Sequence, residues 1–347
     1  MAMADVTIRG AGIFGLSIAW VCAQRGARIC LIDPFGPGAG ASGGIVGALA
    51  PHVPENWNVK KAFQLESLLR AETFWQQVEA EGNVASGYGR TGRLQPILDA
   101  AALTLARQRS AGAEALWQGR AGWTVCWASD FGTWSPPSAT GRVIHDTLSA
   151  RLHPRRACAA LVAALKTRDV EVVPEAMDSG LVIHASGSHG LSQLSQDLGK
   201  QIGAPIKGQA ALLQHDAGID APQIFADTLH IVPHADGTTA IGSTSEREFE
   251  AANATDEKLE DLVARARAIV PHLQDAPVIE RWAGLRPRSK SRAPMLGVHP
   301  LRPGHYIANG GFKIGFGMAP KVAEVMADLV LEQQDKIPRD FRVEASL

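Results

Sequence analysis

The chain has 347 residues, of which 46% are hydrophobic and 20% charged, a composition typical of a folded protein with more than one domain. Its formal net charge of -1 excludes general electrostatic attraction to nucleic acid or to anionic lipid. No apolar run approaches the ~20 residues that cross a bilayer, and the first apolar stretch lacks the basic leader of a secretory signal. The four cysteines and eleven histidines show no metal-ligand spacing, which predicts a reduced, cytoplasmic protein without bound metal.

The first part of the chain predicts a strand, a helix and a second strand. Val6–Arg9 has a β-type composition and is ended by glycine, and Leu16–Gln24 reads as an apolar helix closed by Gly26. Arg28–Ile32 is the second predicted strand, and Asp33-Pro34 ends it. A strand, a helix and a strand within this length form a βαβ unit, whose crossover is right-handed.

A glycine motif fills the turn between the predicted strand and the predicted helix. Gly10 permits the tight turn, and Gly12 lets the backbone approach a pyrophosphate. Gly15 allows the helix to pack closely on the strand, while the helix N-terminus faces the phosphates. Asp33 closes the second strand, where its carboxylate can accept hydrogen bonds from ribose hydroxyls. The sequence thus predicts a dinucleotide site, without separating FAD from NAD, formed by Gly10, Gly12, Ile13, Phe14, Gly15, Asp33 and Pro34.

Downstream of the βαβ unit the chain alternates further predicted helices and strands. The stretch Gly36–Gly47 is too rich in glycine for regular structure. The predicted helices are Lys60–Glu81, Ala101–Trp117, Pro154–Arg168, a helix capped by Thr255 and stopped by Pro271, and Pro320–Glu332. The predicted strands are Gly92–Leu98, Val170–Val173, Leu181–His184, Thr228–Pro233, Gly237–Gly242 and Tyr306–Ala308. This order predicts a dinucleotide fold that is interrupted by insertions and completed by the C-terminus.

Three blocks along the chain carry longer motifs. The first, Val6–Pro51, includes Ala41-Ser42-Gly43-Gly44 and ends in Gly-Ala-Leu-Ala-Pro. The second, Leu229–Glu246, contains His-Ile-Val-Pro-His, and the third combines Trp282–Gly297 with Tyr306–Pro320. Together the blocks resemble the D-amino-acid oxidase superfamily, particularly its glycine oxidase and sarcosine oxidase branch, and they follow the order of that family.

This resemblance implies an α/β fold, in which a Rossmann-type FAD-binding domain is interleaved with an α+β substrate domain built on a mainly antiparallel sheet. Residues 1–80, 146–200 and 294–347 would form the discontinuous FAD-binding domain, and residues 81–145 and 201–293 the substrate-binding domain. The implied activity is the FAD-dependent oxidation of an amine C–N bond in an amino acid or an N-substituted amino acid. A small-molecule amine is then the expected partner, no nucleic acid is expected, and the oligomeric state stays open.

The same resemblance assigns cofactor contacts beyond the glycine turn. Near the C-terminus, a glycine-rich turn lets backbone N–H groups approach a flat ring, and the following helix directs its positive end toward the same place. Such donors favour the negative charge of a reduced flavin. No cysteine follows Cys158, so the FAD is expected to be noncovalent. The implied contacts are Ser42 and Gly43 at the pyrophosphate or ribityl chain, Gly47 and Ala48 at the isoalloxazine, Val172 or Val173 at the adenine, Gly187 in the phosphate channel, and Gly311, Phe312, Lys313, Ile314 and Gly315 at the flavin.

Three residues are candidates for the substrate side. Arg286 lies in Gly-Leu-Arg-Pro, where relatives present an arginine to the substrate carboxylate, although an arginine here could instead form a structural ion pair. His52 follows the ring-adjacent loop, and His230 takes the place of a tyrosine that orients the carboxylate in glycine oxidases. Either histidine could equally be a structural residue. No catalytic triad is expected, because hydride transfer in this family depends on positioning and on flavin electronics.

Three departures from the family pattern leave oxygen reactivity and substrate identity open. Val173–Leu181 is shorter than usual, which predicts the loss of a small strand meander. Ser291 stands where relatives often have an aspartate, and no lysine near Thr239 matches the oxygen-activating lysine of sarcosine oxidases. Two alternative functions also stay open: an oxidoreductase acting on the carboxymethylamine side chain of a modified tRNA uridine, and a non-catalytic or NAD-binding nucleotide-fold protein.

Overall fold

The computed structural model describes residues 3–347. Within that range the helices are α1 (Ile13–Gln24), α2 (Val59–Gly82), α3 (Ala100–Trp117), α4 (Pro154–Lys166), α5 (Gly187–Asp197), α6 (Glu257–Ile269) and α7 (Gly315–Glu332). The strands are β1 (Val6–Arg9), β2 (Ile29–Ile32), β3 (Ala48–Leu49), β4 (Arg93–Pro96), β5 (Trp123–Trp127), β6 (Arg142–Asp146), β7 (Ala150–Arg151), β8 (Val172–Val173), β9 (Leu181–His184), β10 (Gly203–Leu213), β11 (Gln223–Ala226), β12 (Leu229–Pro233), β13 (Thr239–Gly242), β14 (Val278–Ser289), β15 (Met295–Val298) and β16 (His305–Asn309). None of these helices has the length and apolar content that a membrane span requires.

Among the described residues, six strands form one sheet in the order β15-β16-β9-β1-β2-β8. The central strands run parallel, with Val6 of β1 opposite both Ile29 of β2 and Leu181 of β9. Val6 and Ile8 are fully buried in a core cluster that also contains the apolar side chains of α1 and α7, and these two helices pack against each other. Parallel strands covered by helices are the arrangement that the predicted βαβ unit requires.

Eight further strands of the described chain form a second sheet in the order β14-β10-β13-β12-β11-β4-β6-β5. Its longest pair, β10 with β14, runs antiparallel from Gly203 opposite Ser289 to Leu213 opposite Val278. Within it β4 and β11 form a parallel pair, and α6 packs its apolar side on the sheet. The fold is therefore α/β, with a Rossmann-type sheet joined to a mainly antiparallel sheet, as predicted.

The two sheets draw their strands from alternating parts of the chain. The first takes strands from residues 6–32, 172–184 and 295–309, and the second from residues 93–146 and 203–289. The domain boundaries themselves stay a prediction, because membership of a sheet does not by itself delimit a unit that folds independently.

A two-stranded ribbon of β3 and β7 fixes part of the glycine-rich stretch. At Gly47 an added Cβ would lie 1.8 Å from the carbonyl oxygen of Leu152, so the close approach of these two segments requires glycine. The Leu152 N–H also donates to the Gly47 carbonyl at 3.1 Å. The stretch therefore follows a defined path. The prediction that it has no regular structure is wrong at Ala41–Gly43, which form a short 3-10 helix.

Two helices begin earlier than predicted. α1 begins at Ile13 rather than Leu16, because Gly12 takes the N-cap position and the glycine motif continues into the helix. α7 begins at Gly315 rather than Pro320, and the proline lies buried inside the helix. The packing of α7 against α1 and α2 compensates for the hydrogen bond that a proline cannot make.

The N-cap of α6, one helix and eight strands also differ from the prediction. Asp256, not Thr255, caps α6, because its carboxylate accepts the Lys258 N–H at 3.1 Å. Helix α5 was not predicted, since its serine- and glycine-rich sequence is typical of a loop. Strands β10 and β14 were not predicted either, because their long mixed sequences lack clean alternation. The shorter strands that were not predicted are β3, β5, β6, β7, β11 and β15. The short segment 174–180 joins β8 to β9 without a strand, in agreement with the missing meander.

Candidate active site

The turn between β1 and α1 brings two segments of backbone into close contact. Gly10 has a φ of +112°, and an added Cβ there would lie 2.4 Å from the carbonyl oxygen of Ala185. At Gly15 an added Cβ would lie 1.8 Å from the carbonyl oxygen of Gly10. Both positions therefore require glycine, which is the steric role that the motif assigns to them.

Two polar side chains fix the loops around this turn. Asp33 accepts the N–H of Ala11 at 2.7 Å on one carboxylate oxygen and the N–H of Phe35 at 3.0 Å on the other. Ser42 accepts the N–H of Ile13 at 2.9 Å and so caps the first turn of α1. Both side chains line the cavity described next, while their hydrogen bonds also hold its backbone walls in place.

A cavity of about 1130 Å³ runs from the glycine turn toward the antiparallel sheet. This volume exceeds the ~300–1,000 Å³ of pockets for drug-sized ligands, so it suits a dinucleotide together with a small second ligand. The predicted site residues that line it are Gly10, Gly12, Ile13, Phe14, Asp33, Pro34, Ser42, Ala48, His52, Gly187, His230, Arg286, Gly311, Phe312, Lys313, Ile314 and Gly315. The structure thus brings five separate parts of the chain to one site.

Five predicted cofactor contacts do not line the cavity: Gly15, Gly43, Gly47, Val172 and Val173. The three glycines instead permit backbone packing, and at Gly43 an added Cβ would lie 2.4 Å from the Gly38 carbonyl oxygen. The two valines form the edge strand β8, where the Val173 carbonyl accepts the N–H of Asp33 at 3.0 Å. The glycine motif led to the assignment of Gly15, and the family resemblance led to the other four.

Arg286 of β14 places a nearly unpartnered guanidinium in the cavity wall. Arg286 is 9% exposed, and one N–H group of its guanidinium donates to the carbonyl oxygen of Thr244 at 3.2 Å. Among residues 3–347 no carboxylate forms a salt bridge with it. Burial lowers the pKa of Arg286 to about 10, and Glu246 opposes that shift, so the side chain stays positively charged at neutral pH. The described residues therefore do not form the structural ion pair that the sequence left open as an alternative role for Arg286.

A second cation reaches the cavity from the C-terminal turn. The Phe312 N–H donates to the carbonyl of Pro287 at 3.0 Å, which ties this turn to the strand residue that follows Arg286. The next residue, Lys313, is exposed as a whole, but desolvation of its amino group, together with the charge of Arg286, lowers its pKa to about 8. Sequence reasoning assigned Lys313 to the cofactor. The structure shows that it lines the same cavity as Arg286.

His230 lies on β12 and is neutral. Burial, followed by the charges of Arg93 and Lys313, lowers its pKa to about 3. Its ring lies 4.6 Å from the ring of Phe225, centroid to centroid, and its Nδ1 is buried without a partner among the described residues. Arg93 also lines the cavity, but its charge is balanced by Asp146 at 2.8 Å.

Gln64 of α2 is a cavity residue that sequence reasoning missed, since a glutamine on an amphipathic helix gives no signal of its own. Gln64 is 2% exposed, and its side-chain oxygen accepts the backbone N–H of His52 at 2.7 Å. The same oxygen contacts Nδ1 of the His52 ring. Burial lowers the pKa of His52, and the hydrogen bond from its ring to Gln64 opposes that shift.

These features fit FAD. The glycine turn gives backbone access at the α1 N-terminus, and Gly311 approaches the ring of Phe14 so closely that an added Cβ would lie 2.9 Å from it. The backbone of residues 311–315 and the start of α7 face the same cavity. Among residues 3–347 no group of three or more metal-ligating side chains is arranged to bind a metal ion.

Comparison with known proteins identifies the family. Over 126 residues, 36% of this chain and 35% of the relative, the sequence is 34% identical to glycine oxidase of Pseudomonas aeruginosa. The chain thus matches about a third of the length of the first curated relatives. The crystal structure of glycine oxidase from Geobacillus kaustophilus has the same fold, with a TM-score of 0.84, 20% identity and 98% of each chain covered. Iminodiacetate oxidase from Chelativorans sp. BNC1 has a TM-score of 0.82 and 22% identity, with 96% of this chain and 97% of that chain covered.

The family match also separates FAD from NAD, which the glycine motif alone does not. Residues 5–329 match the family described as FAD dependent oxidoreductase, and that range includes the glycine turn, Arg286 and the C-terminal turn. The chain therefore belongs to the D-amino-acid oxidase superfamily of FAD-dependent oxidoreductases, and its cofactor is FAD.

Proposed function

We propose that the protein oxidises the amine C–N bond of an amino acid or an N-substituted amino acid. The observation that carries this proposal is the Arg286 guanidinium, which is buried in the cavity wall with one hydrogen bond and without a carboxylate partner among residues 3–347. A buried charge is costly unless it is paired. A ligand carboxylate supplies the missing charge, and its two oxygens match the two parallel N–H groups of a guanidinium.

Lys313 supports a carboxylate at this place. Its charge adds to that of Arg286, so an anion between or near the two side chains gains from both. Of the carboxylates that line the cavity, Asp33 already accepts two backbone N–H groups of its own loop, and Asp197 pairs with Arg302 at 3.1 Å. The anion is therefore expected to come with the ligand.

Arg286 and Lys313 hold such a substrate rather than react with it. Arg286 and Lys313 would fix the carboxylate, which limits the positions that the adjacent α-carbon and its amine can take. Neutral His230 offers a hydrogen-bonding ring without adding a third positive charge. When bound, FAD supplies the two-electron oxidant for the substrate. The apolar side chains that exclude water from the same cavity are Ile45, Leu49, Phe225 and Trp282.

The comparisons support the substrate class. Two relatives are named for the oxidation of glycine and of iminodiacetate, both of which are amines with a carboxylate on the adjacent carbon. The low identities leave the individual substrate to experiment. We propose the class, and not one of these two compounds.

The test is the visible spectrum of the purified holoenzyme under anaerobic conditions, with glycine, sarcosine, proline, iminodiacetate and several D-amino acids. Bleaching of the flavin by at least one of them is the expected result. Arg286→Met should weaken the binding of that substrate by about 10- to 100-fold, because hydrogen bonds to charged groups contribute about 1.5–3 kcal/mol. Arg281→Met, on the exposed side of the same strand, is the control and should leave binding unchanged.

Two results would contradict the proposal. A flavin that none of these compounds bleaches would move the substrate to larger amines, among them the carboxymethylamine side chain of a modified uridine. An Arg286→Met variant that binds every oxidised amino acid as tightly as the parent protein would remove the carboxylate role of this residue.

A further inference from the structure

Three hydrogen bonds join His52, Gln64 and Ala50 at the edge of the cavity. The side-chain oxygen of Gln64 accepts the backbone N–H of His52 at 2.7 Å, and it also contacts Nδ1 of the His52 ring. The side-chain nitrogen of Gln64 donates to the carbonyl of Ala50 at 3.2 Å. The glutamine is thereby held at both ends by the backbone of the loop that carries the histidine.

This arrangement determines which ring nitrogen of His52 carries the proton. A backbone N–H can only donate, so the Gln64 atom that faces it must be the amide oxygen. An amide oxygen can only accept, so the Nδ1 atom of His52 that contacts it must be protonated. In a neutral imidazole the other nitrogen, Nε2, then has a free lone pair and acts as an acceptor.

The Nε2 lone pair is available to a ligand. His52 lines the cavity, and its Nε2 makes no hydrogen bond to any residue within 3–347. The charged groups that act on the ring are Lys60 and Lys61 of α2. Their ammonium groups are turned to backbone carbonyls, that of Lys60 to Arg292 at 2.6 Å and that of Lys61 to Val53 at 3.1 Å. Together with burial they lower the pKa of the ring, so Nε2 carries no proton at neutral pH.

We propose that Nε2 of His52 accepts a proton from the ammonium group of the substrate, and that Gln64 is the positioning residue that keeps this nitrogen unprotonated. The inference rests on the proposed function, because an amino acid binds mainly as its ammonium form at neutral pH, whereas the amine must be neutral before its C–N bond is oxidised. One N–H bond of the ammonium breaks, and its electron pair stays on the amine nitrogen. The proton forms a new N–H bond at Nε2, which leaves an imidazolium and a neutral amine.

The first test reads the tautomer and does not depend on activity. Proton–nitrogen NMR of the holoenzyme, labelled with ¹⁵N-histidine, distinguishes a ring protonated at Nδ1 from one protonated at Nε2. The His52 signals are assigned by their loss in His52→Gln. We expect the Nδ1–H form in the parent protein and a shift toward the Nε2–H form in Gln64→Leu, which removes the acceptor. The exposed His272 provides the control, since its signals should not change in Gln64→Leu.

The second test measures the rate constant of flavin reduction at saturating substrate as a function of pH. In the parent protein this rate should fall as the pH drops through the pKa of His52, which lies below its ordinary value of 6.5. His52→Gln should lower the rate by about 100-fold or more, as expected for a lost general base, and should abolish this acidic limb. Gln64→Leu should lower the rate by at least ~10-fold with little change in KM, whereas His272→Gln should change neither quantity.

The outcomes separate this inference from the proposed function. An Nε2–H tautomer in the parent protein, or a His52→Gln variant that reduces its flavin at the parent rate with the same pH profile, overturns the role of His52 and leaves the proposed function intact. If no amine reduces the flavin, the proposed function and the proton transfer both fail, even where NMR shows the expected tautomer.

Discussion

The guanidinium of Arg286 occupies the space where a side chain of Gly208 would begin. A Cβ added to Gly208 would lie 1.7 Å from the Nη1 atom of Arg286 and 2.1 Å from its Cζ. Gly208 belongs to β10 and pairs with Gly284 of the neighbouring β14, so two facing glycines leave room beside the arginine. At Gly284 an added Cβ would meet the ring of Trp282 at 2.5 Å. The cavity wall therefore depends on two positions without side chains.

Gly208→Ala should displace the Arg286 guanidinium without breaking the sheet. Its backbone conformation is open to alanine, and the clash falls on a side chain that can move. We expect the binding of an unreactive carboxylate to weaken by about 10- to 100-fold, the range for hydrogen bonds to a charged group. Gly122→Ala is a suitable control, since nothing lies closer than 3.7 Å to its added Cβ. In an Arg286→Met background Gly208→Ala should have almost no further effect on carboxylate binding. If it weakened binding there as strongly as in the parent protein, the displacement of Arg286 could not be the cause.

Carboxylate binding should weaken as the pH rises through about 8. Burial and the charge of Arg286 lower the pKa of Lys313 to about 8, so this lysine is a cation below that pH and neutral above it. An anion held by both Arg286 and Lys313 loses the charge of Lys313 above this pH. We therefore expect its affinity to fall roughly tenfold between pH 7 and pH 9. The perturbation of the flavin spectrum by an unreactive carboxylate gives the dissociation constant at each pH. Lys313→Met should bind weakly at every pH, and an alkaline weakening that persists in this variant would assign it to another group.

Ser42→Ala should destabilise the protein by about 1–3 kcal/mol, because it leaves the Ile13 N–H at the start of α1 without its partner. The measurement is urea unfolding of the FAD-bound protein, with the flavin content recorded in parallel. Ser17→Ala, a change within α1 itself, makes a matched control, since the Ser17 hydroxyl is buried without any hydrogen-bond partner among the described residues. That variant should be neutral or slightly more stable. Equal losses in the two variants would show that the cap contributes nothing.

The free energy of unfolding should fall as the pH drops below about 6.5, in part because of His234. Burial, followed by the charge of His153, lowers the pKa of His234 to about 3 in the folded protein, against 6.5 in an exposed histidine. Between these values the unfolded state binds a proton that the folded state does not, so acid favours unfolding. One unit of pKa corresponds to about 1.4 kcal/mol, which gives a loss of roughly 1–2 kcal/mol from pH 7.5 to pH 5.

The variant that checks this is His234→Asn, which cannot titrate. Its stability should be lower at pH 7.5, where the hydrogen bond of His234 to Thr238 at 3.2 Å is lost. Between pH 7.5 and pH 5, however, it should lose less stability than the parent protein. Parallel pH profiles for the two proteins would assign the acid sensitivity to other groups.

The local features of this protein follow from its sequence. The turn between β1 and α1 is determined by Gly10, Gly12 and Gly15, since Gly10 has a positive φ and Gly15 packs on Gly10 within the same turn. Apolar periodicity likewise predicts α2, α3 and α4 to within a few residues, because each helix buries one continuous stripe. The weakest signals were those of α5, β10 and β14, whose sequences are mixed and whose burial is imposed by neighbours distant in the chain.

The chemistry of the site was decided by the tertiary structure. The sequence names Arg286 as a candidate, but its free guanidinium depends on Gly208, on the carbonyl of Thr244 and on the lack of a salt bridge to any carboxylate of the described residues. In the same way, the tautomer of His52 depends on Gln64 of another element. Patterns along a chain report the local conformation and the side of each element that is buried. The partners of a polar side chain are determined by contacts between distant segments, and only the packed structure brings those segments together.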